Sequence, residues 1–350
     1  MKALLGLACL CLATPCGAAA ATPALEVAAD SEAVKAGLDR FLSHNYEPAA
    51  YPPQNLKEIE LGRLLFFDPR LSNNGAMSCA TCHQPSTAWT DRLPRARGLN
   101  QRELRRRTPS LLNAYVRLNS YANFFWDGRA KSIDEAALAA IQNPEEMAQP
   151  LPAVVRRLRG VPDYVDRFVA LYGRSGPSGP NLGRALSAFV ESLGPREGPF
   201  DSFLRGKDSL STAATRGFVV FSGKGRCNHC HSATVLTDGR YHDSGLRPSV
   251  PQDLGRYEVE PLTQNLRAFR TPSLRNAALT APYMHDGSLA TLREVVDFYD
   301  RGGDDPDNRE PDMQRLRLSE REKKDLVTFL EEIAPPQEPV VVPLLPPPGP

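Results

Sequence analysis

Apolar residues recur at every third or fourth position along most of the chain, the spacing that gathers side chains on one face of an α-helix. Two runs begin at capping boxes, Ser132 with Glu135 and Ser319 with Glu322, in which each side chain satisfies a backbone N–H of the other residue. Strict alternation, the pattern of a half-buried strand, occurs only over short stretches. The amphipathic runs cover residues 31–42, 56–67, 153–171, 182–193, 212–221 and 291–299. This pattern predicts a mainly α fold with few strands.

The first residues depart from the helical pattern. Lys2, an apolar run over 4–13 and small residues at 17–21 predict a secretory signal peptide covering residues 1–21. The apolar run is too short to span a bilayer. A lipoprotein anchored through Cys16 is the weaker alternative, because a proline precedes that cysteine.

The last residues depart from it as well. After Ala334 the chain is dominated by proline, which predicts a disordered tail over residues 335–350. The length between leader and tail suffices for two domains with separate cores. A Gly/Pro-rich stretch near the middle of the chain predicts the boundary, with domains at 22–180 and 181–334.

Two Cys-x-x-Cys-His motifs carry the clearest chemical signal, and each is typical of a covalent haem c site. Two thiols at this spacing add to the vinyl groups of one porphyrin, and the adjacent histidine becomes the proximal ligand of the iron. The alternative is a zinc site built from the four thiols and a histidine. The remaining three of the seven cysteines lie in the predicted leader. The motif residues are Cys79, Cys82 and His83 in the first half, and Cys227, Cys230 and His231 in the second.

The order of motifs after each Cys-x-x-Cys-His is the same. An Arg-Thr-Pro-Ser-Leu sequence begins at Arg107 and again at Arg270, and an Asp-Gly turn follows, preceded by Trp126 in one half and His285 in the other. A predicted helix comes next in both halves. We therefore expect two cytochrome c-like haem domains related by internal duplication about a pseudo-twofold axis.

Charge is balanced overall but locally clustered. The chain has 42 Lys+Arg and 41 Asp+Glu, which gives no reason to expect nucleic acid or a charged membrane surface as a partner. Seven arginines lie between residues 92 and 107, and acidic residues crowd a loop at 304–312. Solvated loops are one interpretation, and pairing with haem propionates or docking of a protein partner is the other.

Further motifs lie at residues 64–71, 78–83, 125–129, 143–147 and 280–287. Through these motifs the chain resembles, from residue 56 to 333, the bacterial dihaem cytochrome c peroxidase and MauG superfamily. The resemblance implies a peroxide-reacting N-terminal haem, an electron-storing C-terminal haem and a coupling tryptophan, here Trp126. It also implies a distal acid over the peroxide-reacting iron, here Glu146. Glu135 is the other acid considered, but its place in the capping box already accounts for it. Ala136 stands where the family usually has a glutamine.

The iron ligands implied by the resemblance distinguish members of the superfamily. Many of its peroxidases place a second histidine sixteen residues after the first proximal histidine, where this chain has Leu99, so we expect an open first haem. The second haem receives methionine in the peroxidases and tyrosine in the MauG type, and here the position holds Tyr299. The alternative is that Tyr299 only packs at a helix end; Met284 and His285 are rival ligands.

Calcium is a further cofactor that the resemblance raises. The superfamily commonly binds Ca²⁺ between the haems through backbone carbonyls, here those of Thr280 and Pro282, together with an asparagine side chain. Arg107 replaces that asparagine, and a guanidinium cannot coordinate a cation. Either other oxygens compensate, or Arg107 itself occupies the site.

These inferences predict a periplasmic enzyme with two covalently bound haem c groups and no membrane span. The resemblance implies that it uses hydrogen peroxide to reach a high-valent dihaem state and then oxidises Trp or Tyr residues of a protein partner. The alternative is a cytochrome c peroxidase that takes electrons from a small cytochrome or copper protein. A non-enzymatic electron carrier is the third hypothesis.

Overall fold

The computed structural model describes residues 23–42, 55–112, 114, 123–194, 197–232, 235–247, 253–305, 309–337 and 339–349. The predicted signal peptide, 1–21, lies outside these residues. The mainly α prediction is confirmed, since the strands found in this part of the chain are Tyr241–His242 (β1) and Phe269–Arg270 (β2), paired antiparallel. No described helix is both long and apolar enough to cross a membrane. The described helices are α1 Pro23–Leu42, α2 Leu56–Phe66, α3 Cys79–Cys82, α4 Ile133–Gln142, α5 Leu151–Arg159, α6 Pro162–Tyr172, α7 Gly179–Ser192, α8 Pro199–Leu204, α9 Thr212–Ser222, α10 Leu292–Arg301 and α11 Glu320–Glu332.

Local sequence explains where these helices begin and end. Ser132 caps α4 by accepting a hydrogen bond from the backbone N–H of Glu135 at 3.3 Å, and Ser319 caps α11 in the same way. The single helix predicted over 153–171 is wrong, because Gly160 ends α5 and Pro162 begins α6. Proline suits the first turn of a helix, where its missing N–H has no partner to lose.

The first hydrophobic core forms where α2 crosses α7. A Cβ at Gly62 would lie only 1.9 Å from the carbonyl oxygen of Ala185, so only glycine permits this close approach. The buried face of α7, which includes Leu186 and Phe189, belongs to this core. The predicted boundary between residues 180 and 181 is therefore misplaced, since it cuts α7 away from the core it helps to form.

The second core repeats this arrangement with α9 and α11. A Cβ at Gly217 would lie 2.1 Å from the carbonyl oxygen of Asp325. Helix α1 joins this core through Phe41, whose ring contacts the rings of Phe200 and Phe218 at centroid distances of 5.6 and 6.0 Å. The segment predicted as the start of the first domain thus packs in the second.

The proline-rich tail is ordered over its described residues, contrary to the prediction for 335–350. Val340 and Leu345 pack against the first core, and Arg63 Nη1 donates a hydrogen bond to the carbonyl of Val341 at 2.9 Å. The N–H of Gly349 bonds to the carbonyl of Gly160 at 3.2 Å. Proline already restricts the extended backbone, so ordering this segment loses less conformational entropy than ordering an ordinary chain.

Candidate active site

One cavity of about 1010 Å³ connects the two halves of the molecule and is lined by both Cys-x-x-Cys-His motifs. Trp126, Glu146 and Tyr299 also line it, together with Arg107 and Thr280. Its described lining includes Gly98 but neither Leu99 nor Pro282. Ligand cavities usually measure about 300–1,000 Å³, so this one has room for large cofactors.

Both motif histidines are held in the form that a haem ligand requires. Nδ1 of His83 lies 3.1 Å from the carbonyl oxygen of Trp89, and Nδ1 of His231 lies 3.0 Å from that of Leu236. A carbonyl only accepts, so Nδ1 carries the proton and Nε2 keeps its lone pair for a metal. Burial lowers the pKa of both histidines, which also favours the neutral ring.

No disulfide joins the four motif cysteines. Burial raises the pKa of Cys79, Cys82 and Cys227 to about 12, so these thiols are protonated at neutral pH. Among the described residues, the cluster with metal-ligand spacing is Cys230, Asp238 and His242. The thiols of the two motifs do not converge on one ion, which argues against the zinc alternative.

Glu146 lies at the first motif, where it raises the pKa of both the Cys79 and Cys82 thiols. Asn143 Nδ2 donates a hydrogen bond to Glu146 Oε1 at 2.7 Å, and Arg129 Nη2 lies 3.9 Å from the same oxygen. Burial outweighs these two contacts and raises the pKa of Glu146. The carboxyl group is thus held in place and titrates closer to neutrality than an exposed glutamate.

The loop that contains Leu99 is tied to the backbone beside this acid. The N–H of Leu99 donates to the carbonyl oxygens of Glu145 and Glu146 at 3.2 and 3.0 Å. A Cβ at Gly98 would lie 1.8 Å from the carbonyl oxygen of Glu145, so glycine is needed for this contact. Although Leu99 itself does not line the cavity, its loop therefore supports the backbone at Glu146.

Trp126 lies where the two halves meet. Its indole Nε1 donates a hydrogen bond to the carbonyl of Arg107 at 3.0 Å. Two equivalent backbone hydrogen bonds join the halves in opposite directions. The N–H of Arg107 donates to the carbonyl of His285 at 2.9 Å, and the N–H of Arg270 donates to the carbonyl of Trp126 at 2.8 Å. Both Asp-Gly turns are thus fixed against the Arg-Thr-Pro segment of the opposite half.

Tyr299 extends from α10 into the part of the cavity that contains the second motif. Burial raises the pKa of its phenol, and the thiols of Cys230 and Cys227 raise it further. Its hydroxyl donates no hydrogen bond to any residue that the structure describes. The side chain is half-buried and lines the cavity, so its oxygen is available to a ligand outside the polypeptide.

His285, a rival ligand, has a different environment. Its ring stacks on Phe269 with a centroid distance of 3.5 Å, and burial lowers its pKa to about 4. It lines the cavity with Met284 in the turn that corresponds to that of Trp126.

Arg107 occupies the position at which the superfamily resemblance raised calcium. Its Nη2 donates a hydrogen bond to the carbonyl of Thr280, one of the oxygens expected to bind the ion. Burial lowers the pKa of Arg107 to about 10, which leaves the guanidinium protonated at neutral pH. A positive group therefore already contacts this oxygen.

The function of the arginine cluster was left open by the sequence, and the structure shows that two of its members form ion pairs between the halves. Arg106 bridges Asp127 and Asp253, each at 2.7 Å, while Arg105 pairs with Glu258 at 2.7 Å. No local sequence signal predicts such pairing, because Arg106 and Asp253 are 147 positions apart.

Comparison with known proteins agrees with this geometry. A family model described as "Di-haem cytochrome c peroxidase" matches residues 56–209. The methylamine utilization protein MauG of Methylorubrum extorquens is 40% identical over 337 residues, covering 95% of this chain and 93% of that protein. Cytochrome c551 peroxidase of Nitrosomonas europaea is 32% identical over 306 residues, covering 85% of this chain and 86% of that protein.

Solved structures show the same likeness. The crystal structure of a MauG-like protein associated with microbial copper homeostasis has a TM-score of 0.75 and 28% identity, covering 83% of this chain and 94% of that one. The diheme peroxidase BthA from Burkholderia thailandensis has a TM-score of 0.71 and 25% identity, covering 84% and 90%. The predicted superfamily is confirmed: the chain belongs to the di-haem cytochrome c peroxidase family and is an oxidoreductase of the kind that acts on hydrogen peroxide.

Proposed function

We propose that the chain holds two covalent haem c groups, one on Cys79 and Cys82 and one on Cys227 and Cys230. His83 and His231 are the proximal ligands. Two observations support this assignment, namely the Nδ1 hydrogen bonds that leave each Nε2 unprotonated and the single cavity that both motifs line.

Internal duplication of the haem domains belongs to the same proposal. Each motif histidine bonds the carbonyl of a residue with positive φ, 61° at Trp89 and 54° at Leu236. Each core also contains a helix crossing at a glycine, Gly62 or Gly217. Two unrelated segments would have no physical reason to share both details.

The N-terminal haem is proposed to react with hydrogen peroxide, and Glu146 to handle the proton. The haems supply the redox chemistry, in which H₂O₂ accepts two electrons and two protons and yields two water molecules. Breaking the O–O bond requires a proton to move from one peroxide oxygen to the other, which a carboxylate can accept and return. Asn143 and Arg129 orient that carboxylate.

Electrons for this reaction are proposed to come from Trp or Tyr side chains of a protein partner, by way of the C-terminal haem and Trp126. Tyr299 is the observation that carries this MauG-type assignment. Its side chain lines the cavity with Cys227 and Cys230, its hydroxyl has no hydrogen-bond partner among the described residues, and an anionic oxygen ligand stabilises oxidised iron. The 40% identity to a protein named MauG supports it.

A second candidate is a cytochrome c peroxidase that uses a small cytochrome or copper protein as its donor. The names of several relatives favour it, including two cytochrome c551 peroxidases. The periplasm is the proposed location in both cases, because covalent haem attachment in bacteria follows export, and the sequence begins with the features of a cleavable leader.

Peroxide titration in the presence of candidate partners distinguishes these functions. The oxidised protein is mixed with hydrogen peroxide and one partner at a time, and each partner is then analysed by mass spectrometry. Loss of hydrogen atoms or gain of oxygen at a partner Trp or Tyr supports the MauG-type function. Reversible oxidation of a cytochrome or copper protein with unchanged mass supports the peroxidase.

The resting ferric protein is expected to contain one high-spin and one low-spin haem. Leu99 has no ligating atom and lies outside the cavity lining, so this position supplies no second ligand to the first iron, whereas Tyr299 is available to the second. Electron paramagnetic resonance measures this directly. Two low-spin signals without a high-spin signal would contradict the assignment and favour the electron carrier.

Calcium chelation is expected to leave the enzyme unchanged. The guanidinium of Arg107 already contacts the Thr280 carbonyl, so a cation there would meet a like charge. Incubation with excess chelator should change neither the resting spectrum nor the rate of reaction with peroxide. A loss of activity that added Ca²⁺ restores would show that other oxygens compensate.

A further inference from the structure

Arg107 and Arg270 occupy matching positions in the two halves, but their side chains differ. Their backbone N–H groups make the reciprocal bonds to His285 and Trp126 described above. The side chain of Arg107 donates to Thr280. The guanidinium of Arg270 makes no hydrogen bond or ion pair with any described residue, its Nε is buried without a partner, and the side chain lines the cavity.

An unpaired buried cation is unfavourable, so this site calls for an anion. Removing a guanidinium from water costs free energy that only a paired anion or several acceptors can offset. Burial lowers the pKa of Arg270 accordingly, while Tyr241 and Asp238 oppose that shift. Asp238 is not a direct partner, because its Oδ2 contacts His242 Nε2 at 2.8 Å.

The other arginines that line the cavity already have partners in the protein. Arg107 donates to the carbonyl of Thr280, and the rest pair with carboxylates. Each of these pairs joins two groups of the protein and leaves no strong demand for an anionic ligand. The pairs are Arg105 with Glu258, Arg106 with Asp127 and Asp253, Arg129 with Asp127, and Arg226 with Asp312. Arg270 is therefore the described arginine best placed to receive an anion from the cavity.

We propose that the guanidinium of Arg270 binds a propionate of one of the two haems in this cavity, and that it thereby positions that haem and raises its reduction potential. A haem carries two propionate carboxylates, and the planar fork of arginine matches a carboxylate with two parallel hydrogen bonds. A nearby positive charge disfavours ferric over ferrous iron, which raises the potential. The inference rests on the haem cofactors of the family and is independent of the choice between partner modification and simple peroxidation.

The test compares Arg270→Gln with Arg105→Gln. The second variant also removes a cavity-lining charge, but one whose partner, Glu258, belongs to the protein. Spectroelectrochemical titration should show the ferric-to-ferrous ratio of one haem rising about tenfold at fixed potential in Arg270→Gln, or about 59 mV for a one-electron couple. Arg105→Gln should change the ferric-to-ferrous ratio of either haem by less than about twofold. The haem whose potential shifts is the one whose propionate Arg270 binds.

Arg270→Lys supplies the second measurement. Lysine keeps the positive charge, so the ferric-to-ferrous ratio at fixed potential should remain within about twofold of the wild-type ratio. It lacks the planar guanidinium that makes two parallel hydrogen bonds to a carboxylate. The propionate bending band of the same haem in the resonance Raman spectrum should therefore move. Unchanged potentials of both haems in Arg270→Gln, or an equal shift in Arg105→Gln, would overturn the proposal. If Arg270→Gln does not fold, an unchanged propionate band in Arg270→Lys overturns it.

Discussion

Tyr299→Met should raise the reduction potential of the C-terminal haem by a few tenths of a volt, within the roughly 0.8 V that axial ligands span. Methionine favours ferrous iron, whereas an anionic phenolate favours the oxidised form. Oxidising equivalents from peroxide should then persist for a shorter time, and electron transfer from a small cytochrome should increase relative to modification of a protein partner. Potentiometric titration and the decay of the peroxide-treated spectrum measure both effects.

Two further variants separate ligation from packing. Tyr299→Phe removes only the oxygen and should leave the second iron open or water-bound, with loss of its low-spin signal. Tyr283→Phe is the matched control, because Tyr283 also lines the cavity but donates its hydroxyl to the carbonyl of Ala277 at 3.1 Å. Wild-type spectra and potentials in both Tyr299 variants would mean that Tyr299 only packs, and the MauG-type assignment would lose its main support.

Periodicity predicted most helices because one apolar face is a local property of the chain. It failed over 153–171, where the apolar spacing continues through Gly160 and Pro162 although the backbone does not remain helical. It also could not assign helices to cores. Nothing in the apolar pattern of α1 or α7 indicates which half of the molecule will bury it, because that choice depends on contacts distant in sequence.

The candidate site also contains some residues that the sequence identified and others that only the structure revealed. Both Cys-x-x-Cys-His motifs are contiguous, so the sequence alone located them. Glu146 and Trp126 needed the superfamily resemblance, because a lone acid or tryptophan has no diagnostic spacing. Two features become visible only once the two halves are packed together: the guanidinium of Arg270, which has no partner among the described residues, and the two carboxylates that contact Arg106.

Glu146→Gln should slow the reaction with hydrogen peroxide by about 10²- to 10⁴-fold, the usual contribution of a positioned acid–base group. The amide keeps the shape of the side chain and a contact with Asn143, but it cannot accept and return a proton. Burial raises the pKa of Glu146, so the wild-type rate should fall as the pH drops through that raised value and the carboxylate becomes protonated. This fall should be absent in the variant. Stopped-flow absorbance across a pH series measures both.

Glu145→Gln is the matched control for this experiment. Glu145 is the adjacent residue, but its carboxylate pairs with Arg102 at 2.8 Å and is 45% exposed, so a change there should leave the rate and its pH dependence close to wild type. The resting spectrum of Glu146→Gln should also be unchanged, because the side chain is not an iron ligand. If Glu146→Gln reacts as fast as Glu145→Gln at every pH, another group or a water molecule moves the proton.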